Sequence, residues 1–180
     1  MMLMWVLVLT ALLVSDVAGR NNSFEVEETH RELKKREIST GPCDENWFYF
    51  SHLYSCYRFF SDKKTWLEAE DFCNQDPHYG QLASVISSDH NSFISDVVRA
   101  VDIKKPKAWF GLNDRCEEGT FTWIDGSSYS YRNWSQGEPN SYQGMNEDCV
   151  NIHHFSDGTW NDESCDLKIG FVCFYKLRGI

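Results

Sequence analysis

Residues 138–162 read Glu138-Pro139-Asn140-Ser141-Tyr142-Gln143-Gly144-Met145-Asn146-Glu147-Asp148-Cys149, then Val150-Asn151-Ile152-His153-His154-Phe155-Ser156-Asp157-Gly158-Thr159-Trp160-Asn161-Asp162. Carboxylates and carboxamides crowd here onto a backbone otherwise rich in glycine and serine. Glu138, Asn140, Glu147, Asn161 and Asp162 offer only hard oxygen donors, and Ca²⁺ takes about six to eight of these at roughly 2.3–2.6 Å in a flexible geometry. Glu138, Glu147 and Asp162 are anionic, which suits a dication. Pro139 fixes φ and is the residue type before which a cis peptide is cheap. A cis Glu138–Pro139 bond would aim both flanking side chains at one ion.

Glu138-Pro139-Asn140, Glu147-Asp148-Cys149 and Trp160-Asn161-Asp162, in that order and flanked by Cys149 and Cys165, resemble the sugar-binding signature of C-type lectins. The resemblance implies one α+β domain in which two helices pack on small antiparallel sheets, with a long calcium-binding loop. It implies a principal calcium held by Glu138, Asn140, Glu147, Asn161 and Asp162. Two vicinal hydroxyls of a sugar would complete the shell, each donating to Glu138 or Glu147 and accepting from Asn140 or Asn161, while Asp162 serves the ion alone. The family associates Glu-Pro-Asn with mannose, fucose and N-acetylglucosamine, and Gln-Pro-Asp with galactose. An auxiliary calcium would take Asp114, Glu118, Glu147 and Asp148. Where the family often has Asp after the Glu-Pro-Asn triplet, this chain has the neutral Ser141.

The rest of the chain bounds this reading. A length of 180 residues suits one domain plus short accessory segments. The net charge of −10, with no basic cluster denser than Lys34-Lys35-Arg36 or Lys104-Lys105, argues against nucleic acid and against a polybasic membrane anchor. Residues 1–19 combine an apolar run to about Val14 with the small-residue pattern Val17-Ala18-Gly19. They read as a secretory signal, too short for the ~20 residues of a membrane span. The product is expected outside the cell, with no membrane insertion. Residues 20–42 form a charged linker or short neck, in which Asn21-Asn22-Ser23 is an exposed glycosylation sequon. A second sequon, Asn133-Trp134-Ser135, adjoins an aromatic expected in the core and is discounted as a glycan acceptor.

From Cys43 to Lys176 the composition turns aromatic and cysteine-punctuated, marking the folded domain. Seven cysteines in an oxidising compartment read as disulfides, whose pairing residue types alone leave open. The resemblance implies Cys43–Cys56, Cys73–Cys173 and Cys149–Cys165. The middle pair closes a loop of about 100 residues, worth about 4–5 kcal/mol in the chain-entropy model. Cys116 is then left over, either as a free thiol or as a link between two chains. A zinc site lacks the matching pairs of Cys and His, and the adjacent His153 and His154 are expected one in and one out of a strand.

Aromatic alternation over Trp47–Phe60 predicts a β-hairpin. Trp66, Ala69, Phe72 and Cys73 predict a first helix capped by Ser61 or Asp62. A second helix follows Ser87 or Ser88, with Phe93, Ile94, Val97, Val98 and Val101 as its core face and Pro106 as its stop. Short strands are expected at Leu82–Val85, Trp109–Leu112, on either side of Asp125-Gly126, at Val150–Ile152 and at Phe171–Phe174. No Ser/His/Asp or Cys/His arrangement provides a nucleophile with a base, so no reaction is expected. The alternative function keeps the fold as a protein-interaction, matrix, mineral or ice-binding module.

Overall fold

A computed structural model describes residues 39–78, 80–104, 106–140, 146–153 and 158–177. The chain divides into two units, 1–37 and 38–180, and every described residue lies in the second. The signal sequence, the linker up to Ile38, the Asn21 sequon, Ser141 and His154 lie outside the described residues.

β1 (Phe48–Phe50) and β2 (Ser55–Lys64) pair antiparallel around a 3₁₀ turn at Ser51–Leu53, forming the hairpin that the aromatic alternation implies. Helix α1 (Trp66–Asn74) starts at Thr65, not at Ser61 or Asp62. β2 runs on to Lys64 and absorbs both of those residues. Thr65 Oγ1 accepts from Glu68 N at 3.2 Å while Glu68 Oε2 accepts from Thr65 N at 3.0 Å. This reciprocal capping box satisfies two amide donors that the helix start would otherwise leave unpaired. The helix buries Trp66, Ala69, Glu70 and Cys73 and leaves Phe72 partly exposed, where Phe72 had been expected in the core. Glu70 is tolerated inside because its carboxylate accepts from Asn74 Nδ2 and from Leu82 N, both at 2.8 Å. Burial nevertheless pushes its pKa above the usual range.

Helix α2 (Ser88–Val101) is capped by Ser87, whose hydroxyl accepts from His90 N at 3.1 Å. It presents His90, Asn91, Ile94, Ser95, Val97 and Val98 inward, but Val101 is exposed because it lies in the last turn, which ends at Asp102 short of Pro106. β3 is only Gln81–Leu82, although Ala83 continues the contact by donating to Val172 O at 2.9 Å and accepting from Gly111 N at 2.8 Å. β4 (Ala108–Asn113) is buried along its whole length, and β5 is Thr122–Trp123. β6 (Cys149–His153), β7 (Thr159–Glu163) and β8 (Ile169–Lys176) complete the strands.

The path β1-β2-β8-β4-β6-β7 carries β3 on β8 and β5 on β4. Every ladder is antiparallel except β4–β8, and that parallel pair joins the expected small sheets into one of eight strands. After Gly126 no further strand follows among the described residues up to Asn140. Only an isolated bridge links Trp134 to Trp160, and the Tyr131 and Trp134 rings pack edge-on against Trp160 instead of extending a ladder. The three disulfides are Cys43–Cys56, Cys73–Cys173 and Cys149–Cys165, as the family pattern implies, and Cys116 is free and exposed.

Candidate functional site: an oxygen-rich pole on β6 and β7

β7 carries Asn161 and Asp162 because its alternation sends Trp160 and Asp162 inward, both at most 2% exposed, while Asn161 is half-buried. Its partner β6 sets Asn151 opposite Asn161 and Val150 opposite Asp162, and Glu147 enters just ahead of β6, buried. The third contributor is clamped to the same strand. Trp160 N donates to Asn133 O at 2.8 Å, Ser135 N to Trp160 O at 2.9 Å, and Ser135 Oγ to Thr159 Oγ1 at 2.8 Å. Glu138 N then closes a turn onto Ser135 O at 3.1 Å, and the Glu138–Pro139 peptide is cis, as its sequence suggests.

This framework brings the carboxylates together. Asp162 Oδ2 accepts from Asn140 N at 2.9 Å, and Asn161 Nδ2 donates to the Asp162 carbonyl. Glu138 has its pKa pushed up to about 7, first by burial, then by the hydrogen bond and charge of Asp162, then by the charges of Glu147 and Glu163. Its Oε2 is buried without a hydrogen-bond partner of good distance and angle. The Glu138–Asp162 contact is therefore a crowded carboxyl pair, not a well-satisfied hydrogen bond, and it marks a place where a positive charge would relieve repulsion.

The donor set fits calcium by this test. Glu138, Asn140, Glu147, Asn161 and Asp162 would hold the ion, which would offer a sugar's vicinal hydroxyls a Lewis-acidic contact. Among the described residues no three His, Cys, Asp or Glu side chains already stand at metal-holding distance. Two of the five donors are amides, which that grouping does not include.

A second acidic group surrounds Asp114. Its Oδ2 accepts from Gly119 N at 2.8 Å and its backbone N donates to Asp148 O at 3.1 Å, while Oδ1 is buried with no hydrogen-bond partner. Burial is the main cause that raises its pKa, and the charges of Glu118 and Asp148 add to it. Glu118 and Asp148 thus lie close enough to act on Asp114, whereas Glu147 acts on Glu138.

The model of the Lectin C-type domain matches residues 62–175. The chain belongs to the C-type lectin family. Members of this family are generally binding proteins and not enzymes. A lectin of Pleurodeles waltl is 36% identical to it over 124 residues, covering 69% of this chain and 72% of that protein. An alpha-N-acetylgalactosamine-specific lectin of Patiria pectinifera is 38% identical over 124 residues, covering 66% and 73%. Among solved structures, the C-type lectin CEL-I from Cucumaria echinata superimposes with a TM-score of 0.69 at 29% identity, covering 74% of this chain and 97% of that one.

Several residues that shape this C-type lectin site were not singled out in the sequence. Glu163 adds negative charge beside Glu138 and is itself paired with Lys107 at 2.7 Å. Asn91 reaches from α2 to the base of β7, accepting from Trp160 Nε1 at 2.8 Å and donating to Gly158 O at 3.2 Å. The available signal was a polar residue inside an apolar helix face, three residues before Ile94. Asn133, the discounted sequon residue, also turns inward, since its amide donates to Gly158 O at 3.3 Å.

Proposed function

We propose that this C-type lectin is a secreted, calcium-dependent carbohydrate-binding protein for mannose, fucose or N-acetylglucosamine-type glycans. The convergence of Glu138 on Asp162 and Glu147, with an unsatisfied buried oxygen on Glu138, carries the reading. A glycan array with calcium and with chelator tests it, together with the thermal midpoint in each condition. Calcium binding to the native state alone stabilises by about 2.7 kcal/mol at a hundredfold excess over Kd. Sugar binding is expected to vanish in chelator. It should also weaken as the pH falls below about 7, where Glu138 retains a proton that calcium must displace. Equal midpoints and intact sugar binding in chelator would overturn the assignment.

Specificity has its own test, because the Patiria relative is named for N-acetylgalactosamine while this chain carries Glu138 and Asn140. Glu138→Gln with Asn140→Asp reverses the hydrogen-bond polarity offered to a sugar diol. One desolvated hydroxyl left mismatched costs about 2 kcal/mol. Mannose binding is expected to fall and galactose-type binding to rise on the same array. A profile unchanged by the double substitution places sugar recognition elsewhere.

Cys116 extends the reading to avidity. It is exposed and unpaired in the polar turn Asn113–Gly119, and an unpaired thiol in an oxidising compartment commonly ends in an intermolecular bond. A covalent dimer would raise avidity without new contacts to sugar. Non-reducing electrophoresis of secreted protein is expected to show a dimer that Cys116→Ser converts to monomer. A monomer in both samples excludes the link, and a dimer surviving in the variant assigns it to other residues.

A further inference from the structure

At the opposite end of the sheet order from β6 and β7, a cleft of about 220 Å³ opens between α1 and strands β2 and β8. Trp47, Phe60 and Phe72 line it, together with Arg58, Gln75 and Asp76, and the Cys73–Cys173 disulfide borders it.

The lining has two kinds of surface. The Arg58 guanidinium lies over the Phe60 ring, 4.7 Å from its centroid, and makes no ion pair among the described residues. Phe72 is 36% exposed and stands edge-on to Phe60 at 5.0 Å, and Trp47 meets Phe60 edge-on at 6.1 Å. Lys64 Nζ, 5.2 Å from the Phe72 ring, adds a further donor beside it. On the rim, Asp76 Oδ1 accepts from His78 N at 2.9 Å, while its Oδ2 and the Gln75 side-chain amide make no hydrogen bond among the described residues. A carboxylate, an amide and a guanidinium, all planar, thus border an aromatic wall.

We propose that this cleft is a second carbohydrate subsite, independent of calcium, that takes a single pyranose. The flat C–H face of a pyranose packs on aromatic rings, and its ring of hydroxyls needs planar groups that donate and accept side by side, here Arg58, Gln75 and Asp76. An anion would face Asp76. The site is wide open, so its affinity is weak and serves to anchor a second branch of a glycan, with gain through multivalency.

The test is a titration of isotope-labelled full-length chain with mannose and with N-acetylgalactosamine in excess chelator, followed by backbone amide shifts. Saturable shifts at Phe72, Gln75 and Asp76 are expected. They should persist in the Glu147→Gln/Asp162→Asn variant, which removes the calcium donors. Asp76→Asn should weaken them about tenfold, the loss of one hydrogen bond to a charged acceptor. Gln75→Ala, at an exposed position, is the second variant and should weaken them in the same way, while calcium-dependent array binding stays unchanged in both. Absence of shifts in chelator, shifts indifferent to both rim variants, or shifts lost with the calcium donors overturns the proposal. The first and second outcomes leave the calcium site standing, so the two readings fail separately.

Discussion

Gly158→Ala is expected to destabilise the domain by about 3–6 kcal/mol. Gly158 has φ +68°, and a Cβ added there would lie 2.1 Å from Ser95 Oγ, 3.2 Å from Asn91 Nδ2 and 3.4 Å from Ile152 Cδ1. The left-handed conformation costs a non-glycine residue about 1–2 kcal/mol, and overpacking adds about 1–3 kcal/mol. The clash also pushes apart Asn91 and the Gly158 carbonyl, which accepts from both Asn91 and Asn133. Losing one of those bonds adds about 1 kcal/mol. Denaturant unfolding at fixed calcium measures the sum. Gly126→Ala is the control, since φ there is +74° but nothing lies within 4 Å, so only the backbone part should appear. Combining Gly158→Ala with Ser95→Gly should recover the clash and leave the φ cost. A Gly158→Ala domain as stable as the parent would show that this turn does not hold the base of β7 as described. Because Asn161 and Asp162 follow directly, the variant should also bind calcium more weakly.

That site was half legible in advance. The candidate donors Glu138, Asn140, Glu147, Asn161 and Asp162 stand out by residue type because their chemistry is local, and the C-type lectin resemblance supplied their grouping. Their supports do not, because Asn91 lies 69 residues from Trp160 and 67 from Gly158. No local pattern connects such positions. The helices were visible through periodicity, yet Phe72 and Val101 fit the apolar period and are exposed: Phe72 meets Phe60 and Phe171 only edge-on at the margin of the helix face, and Val101 is the last residue of its helix. Ser61 and Asp62 are cap-forming residue types, but β2 runs on to Lys64 and leaves Thr65 as the cap. The aromatics after Asp125 suggested strands, but Tyr129, Tyr131 and Trp134 are spent on ring packing and on the Trp134 Nε1 to Tyr129 Oη bond of 2.8 Å. The pairing of β4 with β8 depends on residues some sixty apart in sequence, Ala108 with Gly170, and it is this bond that makes one sheet out of several.

His90 is expected to make the domain acid-labile by about 3 kcal/mol between pH 6.5 and 4. It is fully buried on the inner face of α2, stacked on Phe50 at 4.7 Å and edge-on to Tyr57 at 5.1 Å, with neither ring nitrogen hydrogen-bonded. Burial lowers its pKa from 6.5 to about 4, against a smaller opposing pull from Asp125. The fold therefore holds the imidazole neutral. Below pH 6.5 the unfolded chain takes up a proton that the folded chain refuses, so stability is fully present above 6.5 and is lost as the pH falls to about 4. At 1.36 kcal/mol per unit, the displacement amounts to about 3 kcal/mol. The raised carboxyls of Glu70 and Asp114 act in the opposite sense, gaining stability on acidification, so the His90 share must be isolated by difference. His90→Leu removes the titration together with two unpaired nitrogens in the core. Its urea midpoint at pH 7 should equal or exceed the parent's, and the gap between the two proteins should widen by about 3 kcal/mol on going to pH 4. Measuring both in chelator keeps any metal binding out of the comparison. Parallel curves for the two proteins from pH 7 to pH 4 would mean that His90 reaches its protons in the folded state, and that the packing of Phe50 and Tyr57 against it opens more readily than its burial implies.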